Sequence, residues 1–140
     1  MRNIKCGYGA RVRREVLAGL GVLALATGCG AAPGTGAVTR AADNWLAAAR
    51  AHDAATLCRL LTPAAQESAV TGSQTCPQAV ADMKLPGDGP AGHVEVWSDR
   101  AQVKTRADTL FLTKVAGGWR VSAAGCTARQ GRPYDCEVSG

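Results

Sequence analysis

Hydrophobic residues recur every three to four positions between residues 38 and 83, a spacing typical of helices with one buried face. Asp53 is a good N-cap residue for the second of these helices. Pro63 precedes the third and is tolerated in a first helical turn. The apolar positions predict four helices, over residues 38–50, 53–61, 64–70 and 76–83.

After residue 92 the period changes from about 3.6 to 2, which is typical of strands with one buried face. A loop separates the two patterns, since residues 85–92 hold two prolines and three glycines. Short turns join four alternating segments, as in an antiparallel meander. The sequence therefore predicts an α+β fold in which N-terminal helices pack on one face of a curved antiparallel sheet of about four strands, over residues 93–97, 100–106, 109–115 and 119–123.

The N-terminal segment has the pattern of an export signal. Residues 16–26 are apolar and follow several arginines, but they are too few to span a hydrocarbon core, which needs about 20 residues. The end of this apolar stretch and the three residues after it, Leu25 to Cys29, resemble the lipobox of bacterial lipoproteins. This resemblance implies cleavage between Gly28 and Cys29 and lipidation of Cys29. We therefore predict a signal peptide over residues 1–28, a flexible tether over 29–36 and one domain over 37–140.

The distribution of charge agrees with a signal peptide followed by a separate domain. Of the formal net charge of +5, residues 1–28 contribute five Lys/Arg and one Glu, whereas residues 29–140 hold eleven Lys/Arg and ten Asp/Glu. The domain is thus nearly neutral, and we expect no nucleic-acid partner. The pair Arg13 and Arg14 leaves two export routes open, the general secretory route and the twin-arginine route. Either route predicts a location on the extracytoplasmic face of the cell membrane.

Six cysteines reduce to four in the exported domain, because Cys6 leaves with the signal and Cys29 carries lipid. Four cysteines allow three pairings in an oxidising compartment. We predict the two local pairings, since each closes a short loop. A zinc site is the alternative, but the chain has no Cys-x-x-Cys pair and its two histidines are scattered, so we expect no metal. The predicted disulfides are Cys58–Cys76 and Cys126–Cys136.

The domain resembles small actinobacterial secreted lipoproteins with an NTF2-like (cystatin-like) domain. The resemblance is carried by residues 42–48 of the first helix, 55–61 with Pro63, Cys76–Pro77, 118–121 and 133–138 with Cys126. It implies a helical cone wrapped by a bent sheet, and in many relatives an enclosed pocket. Members range from isomerases to binding modules without chemistry, and many form homodimers through the open sheet face.

Candidate chemistry is sparse in this sequence. An isomerase of this fold needs a carboxylate base in an apolar pocket opposite hydrogen-bond donors. The available polar groups, on Asp43, His93, Glu95 and Tyr134, show no spacing that assembles such a site. We therefore assign no catalytic residue and no cofactor. The residues that we expect to line a pocket, if the fold encloses one, are Trp97, Glu95, Trp45 and Tyr134.

Taken together, the sequence predicts a lipid-anchored cell-envelope protein, a non-catalytic binding module for a protein partner or a small apolar ligand. The alternative is a small-molecule isomerase or hydratase-like enzyme. The interior of the domain discriminates between the two functions. An enclosed cavity lined by Trp97 and Glu95 would favour ligand binding or catalysis, whereas a filled interior with an exposed apolar patch would favour a protein partner.

Overall fold

A computed structural model describes residues 34–140, and these form an α+β domain. The predicted signal peptide, Cys29 and most of the predicted tether lie outside the described residues. Helices come first along the chain and strands follow. The helices are α1 (Thr35–Arg50), α2 (Ala54–Leu60), α3 (Pro63–Ala69) and α4 (Cys76–Ala81). The strands are β1 (Val94–Trp97), β2 (Arg100–Lys104), β3 (Thr109–Val115), β4 (Gly118–Ala124), β5 (Thr127–Arg129), β6 (Arg132–Asp135) and β7 (Val138–Ser139).

Side-chain caps define where the short helices begin. The Asp53 carboxylate accepts a hydrogen bond from the backbone N–H of Thr56 at 3.0 Å and caps α2, as predicted. The hydroxyl of Thr62 accepts from the backbone N–H of Ala65 at the start of α3. At α4 the side chain of Gln78 accepts from the backbone N–H of Thr75 at 2.8 Å. Helix α1 begins at Thr35, two residues before the predicted domain boundary.

The main sheet is antiparallel, with strand order β1-β2-β3-β4-β7. The four predicted strands are present and pair in sequence order, as a meander. The sheet has five strands rather than the predicted number of about four, because β7 also pairs with β4. Strands β5 and β6 form a separate two-stranded hairpin that the hydrophobic pattern did not predict. Every residue of β5 is exposed, so an inside–outside alternation is missing there.

The core lies between the helices and one face of the sheet. Helix α1 contacts β1, β2 and β4, and α3 contacts β4 and β7, while α2 and α4 pack on the other helices. We call this side of the sheet its inner face and the side away from the helices its outer face. The largest side chains that are almost completely excluded from solvent are Trp45, Leu46, Leu61, Leu110, Leu112, Val38, Val80, Val103 and Val121. The interior is therefore filled by aliphatic side chains around one tryptophan.

Two disulfides connect the elements in the predicted pairing. Cys58–Cys76 joins α2 to α4, and Cys126–Cys136 closes the segment that carries the β5–β6 hairpin. Among residues 34–140, no helix is both long enough and apolar enough to span a membrane.

Candidate functional sites

The four residues predicted to line a pocket do not lie together. Trp45 is in the core, on the inner side of the sheet, and is fully buried. Glu95 and Trp97 belong to β1, where Val94 and Val96 face the core, so the two side chains point to the outer face. Tyr134 comes from β6 and also reaches that face. The outer face thus holds three of the four residues, without an enclosed pocket among them.

Tyr134 holds the β5–β6 hairpin against the outer face. Its ring meets the ring of Phe111 edge to face, with ring centroids 5.1 Å apart. Its hydroxyl accepts a hydrogen bond from the amide nitrogen of Gln102 at 3.4 Å. Gln102 pairs directly with Glu95 on the neighbouring strand. The hairpin therefore covers the middle of this face and leaves Trp97 uncovered.

The carboxylates that could act as a base are engaged elsewhere. Asp43 accepts a hydrogen bond from the backbone N–H of Ala91 at 2.9 Å and fastens the loop before β1 to helix α1. Glu95 lies 3.3 Å from the ring nitrogen of His93, and both side chains are substantially exposed. Neither carboxylate faces an apolar cavity with opposing donors. These contacts position a loop and a strand end.

A third carboxylate, Asp108, was not predicted from the sequence to be important. It is buried in the turn between β2 and β3 and accepts hydrogen bonds from the backbone N–H groups of Thr109, Gly125 and Cys126 at 2.6, 2.9 and 2.7 Å. Burial raises the pKa of this carboxyl, although the three N–H groups oppose the rise. An Asp in a turn is ordinary, so only the fold reveals that this one fixes the chain where the hairpin begins.

An apolar crevice opens in the helical layer. It lies between the C-terminal end of α1, α2, α4 and the segment that follows α4, and its volume is about 90 Å³. Leu57 and Val80 form its buried walls, and His52 stands at its exposed edge. A shallower extension continues past Lys84 to Pro86. The crevice is lined by Ala49, His52, Ala54, Leu57, Val80, Ala81, Met83 and Leu85.

The size and lining of this crevice limit its chemistry. Pockets for drug-sized ligands usually measure about 300–1,000 Å³, and an engineered apolar cavity of about 150 Å³ binds benzene. A volume near 90 Å³ accommodates one aliphatic side chain. Its lining contains no carboxylate and no cysteine. Sequence reasoning missed this crevice because its walls come from four separate segments.

The second exposed feature is a row of side chains across the outer face. Strand register places Trp97 beside Arg100, Arg100 beside Thr113 and Thr113 beside Arg120. Trp97 is 54% exposed, and no other large hydrophobic side chain among the described residues is exposed. We call these four residues the Trp97 row. It combines one uncovered indole with two guanidinium groups.

The arginines of the Trp97 row have local partners. The guanidinium of Arg100 lies 3.3 Å from the hydroxyl of Thr113 and 3.9 Å from the carboxylate of Asp99. The guanidinium of Arg120 donates to the backbone carbonyl of Arg59. Each guanidinium carries five N–H donors, so these contacts leave donors for another ligand. The row is therefore cationic and preformed.

The comparisons with known proteins return no relative: no family model, no curated protein and no solved structure matches this chain. Within residues 34–140, no group of three His, Cys, Asp or Glu side chains is placed to hold a metal ion.

Proposed function

We propose that this chain is a lipid-anchored cell-envelope protein whose NTF2-like domain binds a protein partner without catalysis. Residues 1–28 direct export, and lipid on Cys29 holds the domain on the extracytoplasmic face of the membrane. Support for an exported protein comes from the two disulfides, which persist in oxidising compartments. The observation that carries the binding proposal is the helical-layer crevice beside a filled interior.

The filled interior disfavours a small-molecule function. In a fold that encloses substrate, the space between helices and sheet is the pocket, and here Trp45 and Leu46 occupy it. An isomerase or hydratase-like enzyme also needs a base inside that space, whereas Asp43 and Glu95 lie outside it. The enzyme alternative therefore has little support from the geometry.

The crevice suits a protein partner better than a small apolar ligand. Its volume of about 90 Å³ matches a single aliphatic side chain. Protein interfaces commonly concentrate their binding energy in a few side chains that enter well-packed pockets. The adjoining groove past Lys84 has a larger volume, about 440 Å³, but it is open to solvent, and it extends the surface that a partner would cover.

In-cell photocrosslinking tests this proposal. A photoreactive residue at position 84, on the exposed edge of the groove, should capture a partner protein. Ala81→Leu fills the crevice with a side chain from an exposed position on α4, and we expect it to abolish the crosslink. Ala55→Leu makes the same change at an exposed position on α2 that does not line the crevice, and the crosslink should persist.

The same pair of variants distinguishes a small ligand from a partner. If native mass spectrometry finds an added mass that unfolding releases, and Ala81→Leu removes it, the crevice holds a small apolar molecule. A crosslink that survives Ala81→Leu would show that partner binding does not use the crevice. Either result contradicts the proposal.

A further inference from the structure

We propose that the Trp97 row rests on the phospholipid headgroups of the membrane that anchors the chain. This inference depends on the anchor in the proposed function, and it adds an orientation of the domain on the bilayer. Its evidence comes from the outer face of the sheet.

An exposed tryptophan is the first observation. A side chain of this size is usually buried, yet Trp97 is 54% exposed at the end of the edge strand β1. Indole rings favour the boundary between hydrocarbon and water, because the ring is apolar and its N–H can still meet a polar group. The headgroup layer supplies both environments at once.

Two arginines beside this tryptophan are the second observation. Arg100 and Arg120 lie on the same face, in one line with Trp97. A guanidinium group matches the geometry of a phosphate and can bind it with two parallel hydrogen bonds. The opposing charges nearby are Asp99, 3.9 Å from Arg100, and Glu95, which lies against His93. The two arginines therefore favour phosphate contact even though the whole domain is almost neutral.

The third observation is the distance between the anchor and the domain. Helix α1 begins at Thr35, six residues after Cys29. Six extended residues span about 20 Å, so a lipid on Cys29 holds the domain close to the bilayer. This proximity acts as a high effective concentration of lipid, and a weak contact at the Trp97 row is then enough to orient the domain.

The composition of the face favours a membrane over a protein partner at this position. A stable protein interface buries about 800 Å² per partner around an apolar centre. The Trp97 row offers one exposed apolar side chain, flanked by arginines and a threonine, and Tyr134 covers the neighbouring Phe111. Headgroups require no larger apolar centre. The row also borders the start of α3, since Arg100 and Thr113 line a shallow groove with Pro63.

The experiment measures tryptophan fluorescence of the lipidated protein in phosphatidylglycerol vesicles. Lipids brominated near the headgroup should quench part of the emission, and Trp97→Phe should remove the quenched part. Trp119→Phe is the matched control: Trp119 packs against the core, so the quenched part should remain. Arg100→Gln should reduce the ratio of bound to free domain about fivefold. Arg106→Gln removes the same charge from the exposed turn before β3 and should leave the ratio unchanged.

Two results would overturn the orientation. One is quenching that is absent in wild type or persists in Trp97→Phe. The other is a blue shift of Trp97 that depends on protein concentration without lipid quenching, since it would show a second copy on this face. The intact mass reports the anchor separately. A chain without lipid on Cys29 contradicts the proposed function and this inference with it, whereas a lipidated chain without quenching at Trp97 contradicts the inference alone.

Discussion

Trp45 is the largest side chain of the core, and its indole nitrogen is a buried polar atom without a hydrogen-bond partner. A buried donor without a partner costs about 1–3 kcal/mol, while the apolar remainder of the ring stabilises the fold. Burial of the apolar ring therefore stabilises the fold, and the unpaired N–H reduces this stabilisation.

Two replacements of Trp45 test these contributions. Trp45→Ala should lower the free energy of unfolding by about 3–5 kcal/mol, because it leaves a cavity in the centre of the core. Trp45→Phe keeps most of the apolar volume and removes the unpaired N–H, so we expect it to cost less than about 1.5 kcal/mol. Urea unfolding with the disulfides intact measures both values. A loss above about 3 kcal/mol in Trp45→Phe would contradict a penalty at the indole N–H.

Asp108 links two distant turns through one carboxylate. Its oxygens accept three backbone N–H groups, two of them from Gly125 and Cys126 at the start of the hairpin segment. In Asp108→Asn one acceptor becomes an amide nitrogen, which cannot accept from an N–H group. We expect a loss of about 1–3 kcal/mol in the free energy of unfolding at neutral pH.

The pKa of Asp108 also predicts a pH dependence with an unusual sign for a carboxyl group. Burial raises its pKa in the folded state above the ordinary value of 3.8. The folded state then binds the proton more tightly, so this group's contribution is fully present below pH 3.8 and is lost as the pH rises through the raised pKa. Comparing wild type with Asp108→Asn across this range isolates the effect. A difference that grows in favour of wild type with rising pH would contradict it.

At the scale of elements, the disulfides reinforce two regions of different construction. Cys58–Cys76 connects two helices that pack on each other, over a sequence separation of 18 residues. Cys126–Cys136 holds a hairpin whose strands are mostly exposed. The first bond supports the helical layer that contains the crevice, and the second secures a segment with little core of its own.

Removing each disulfide should therefore give different results. Replacing Cys58 and Cys76 together with alanine should cost about 3 kcal/mol in the free energy of unfolding, by the entropy of loop closure in the unfolded chain. Replacing Cys126 and Cys136 with alanine should raise amide hydrogen exchange in residues 127–135 more than elsewhere, because that hairpin opens locally. Exchange that rises equally throughout the domain in the second variant would contradict this difference.

For the whole molecule, the prediction with the widest consequence concerns Cys29. If this thiol is the acylation site, metabolic labelling with a palmitate analogue should label wild type and leave Cys29→Ser unlabelled. Cys6→Ser is the matched control, since Cys6 lies in the segment expected to be removed, and its label should be unchanged. Label that persists in Cys29→Ser would place the lipid elsewhere and remove the basis for the predicted anchor.

The sequence by itself determined the elements whose signals are local. Helical period, caps such as Asp53, the Pro- and Gly-rich loop and the alternation after residue 92 predicted four helices and four strands, because each signal depends on neighbouring residues. The two disulfide pairings could also be predicted from the sequence, since each closes a short loop.

Only the tertiary structure decided what depends on distant contacts. Strand β7 has just two residues and is stabilised by pairing with β4, so no periodicity marks it. The placement of Trp97 on the outer face follows from which side of the sheet the helices cover. The crevice and the Asp108 contacts likewise join segments that are far apart in sequence. A local sequence pattern does not predict such tertiary contacts.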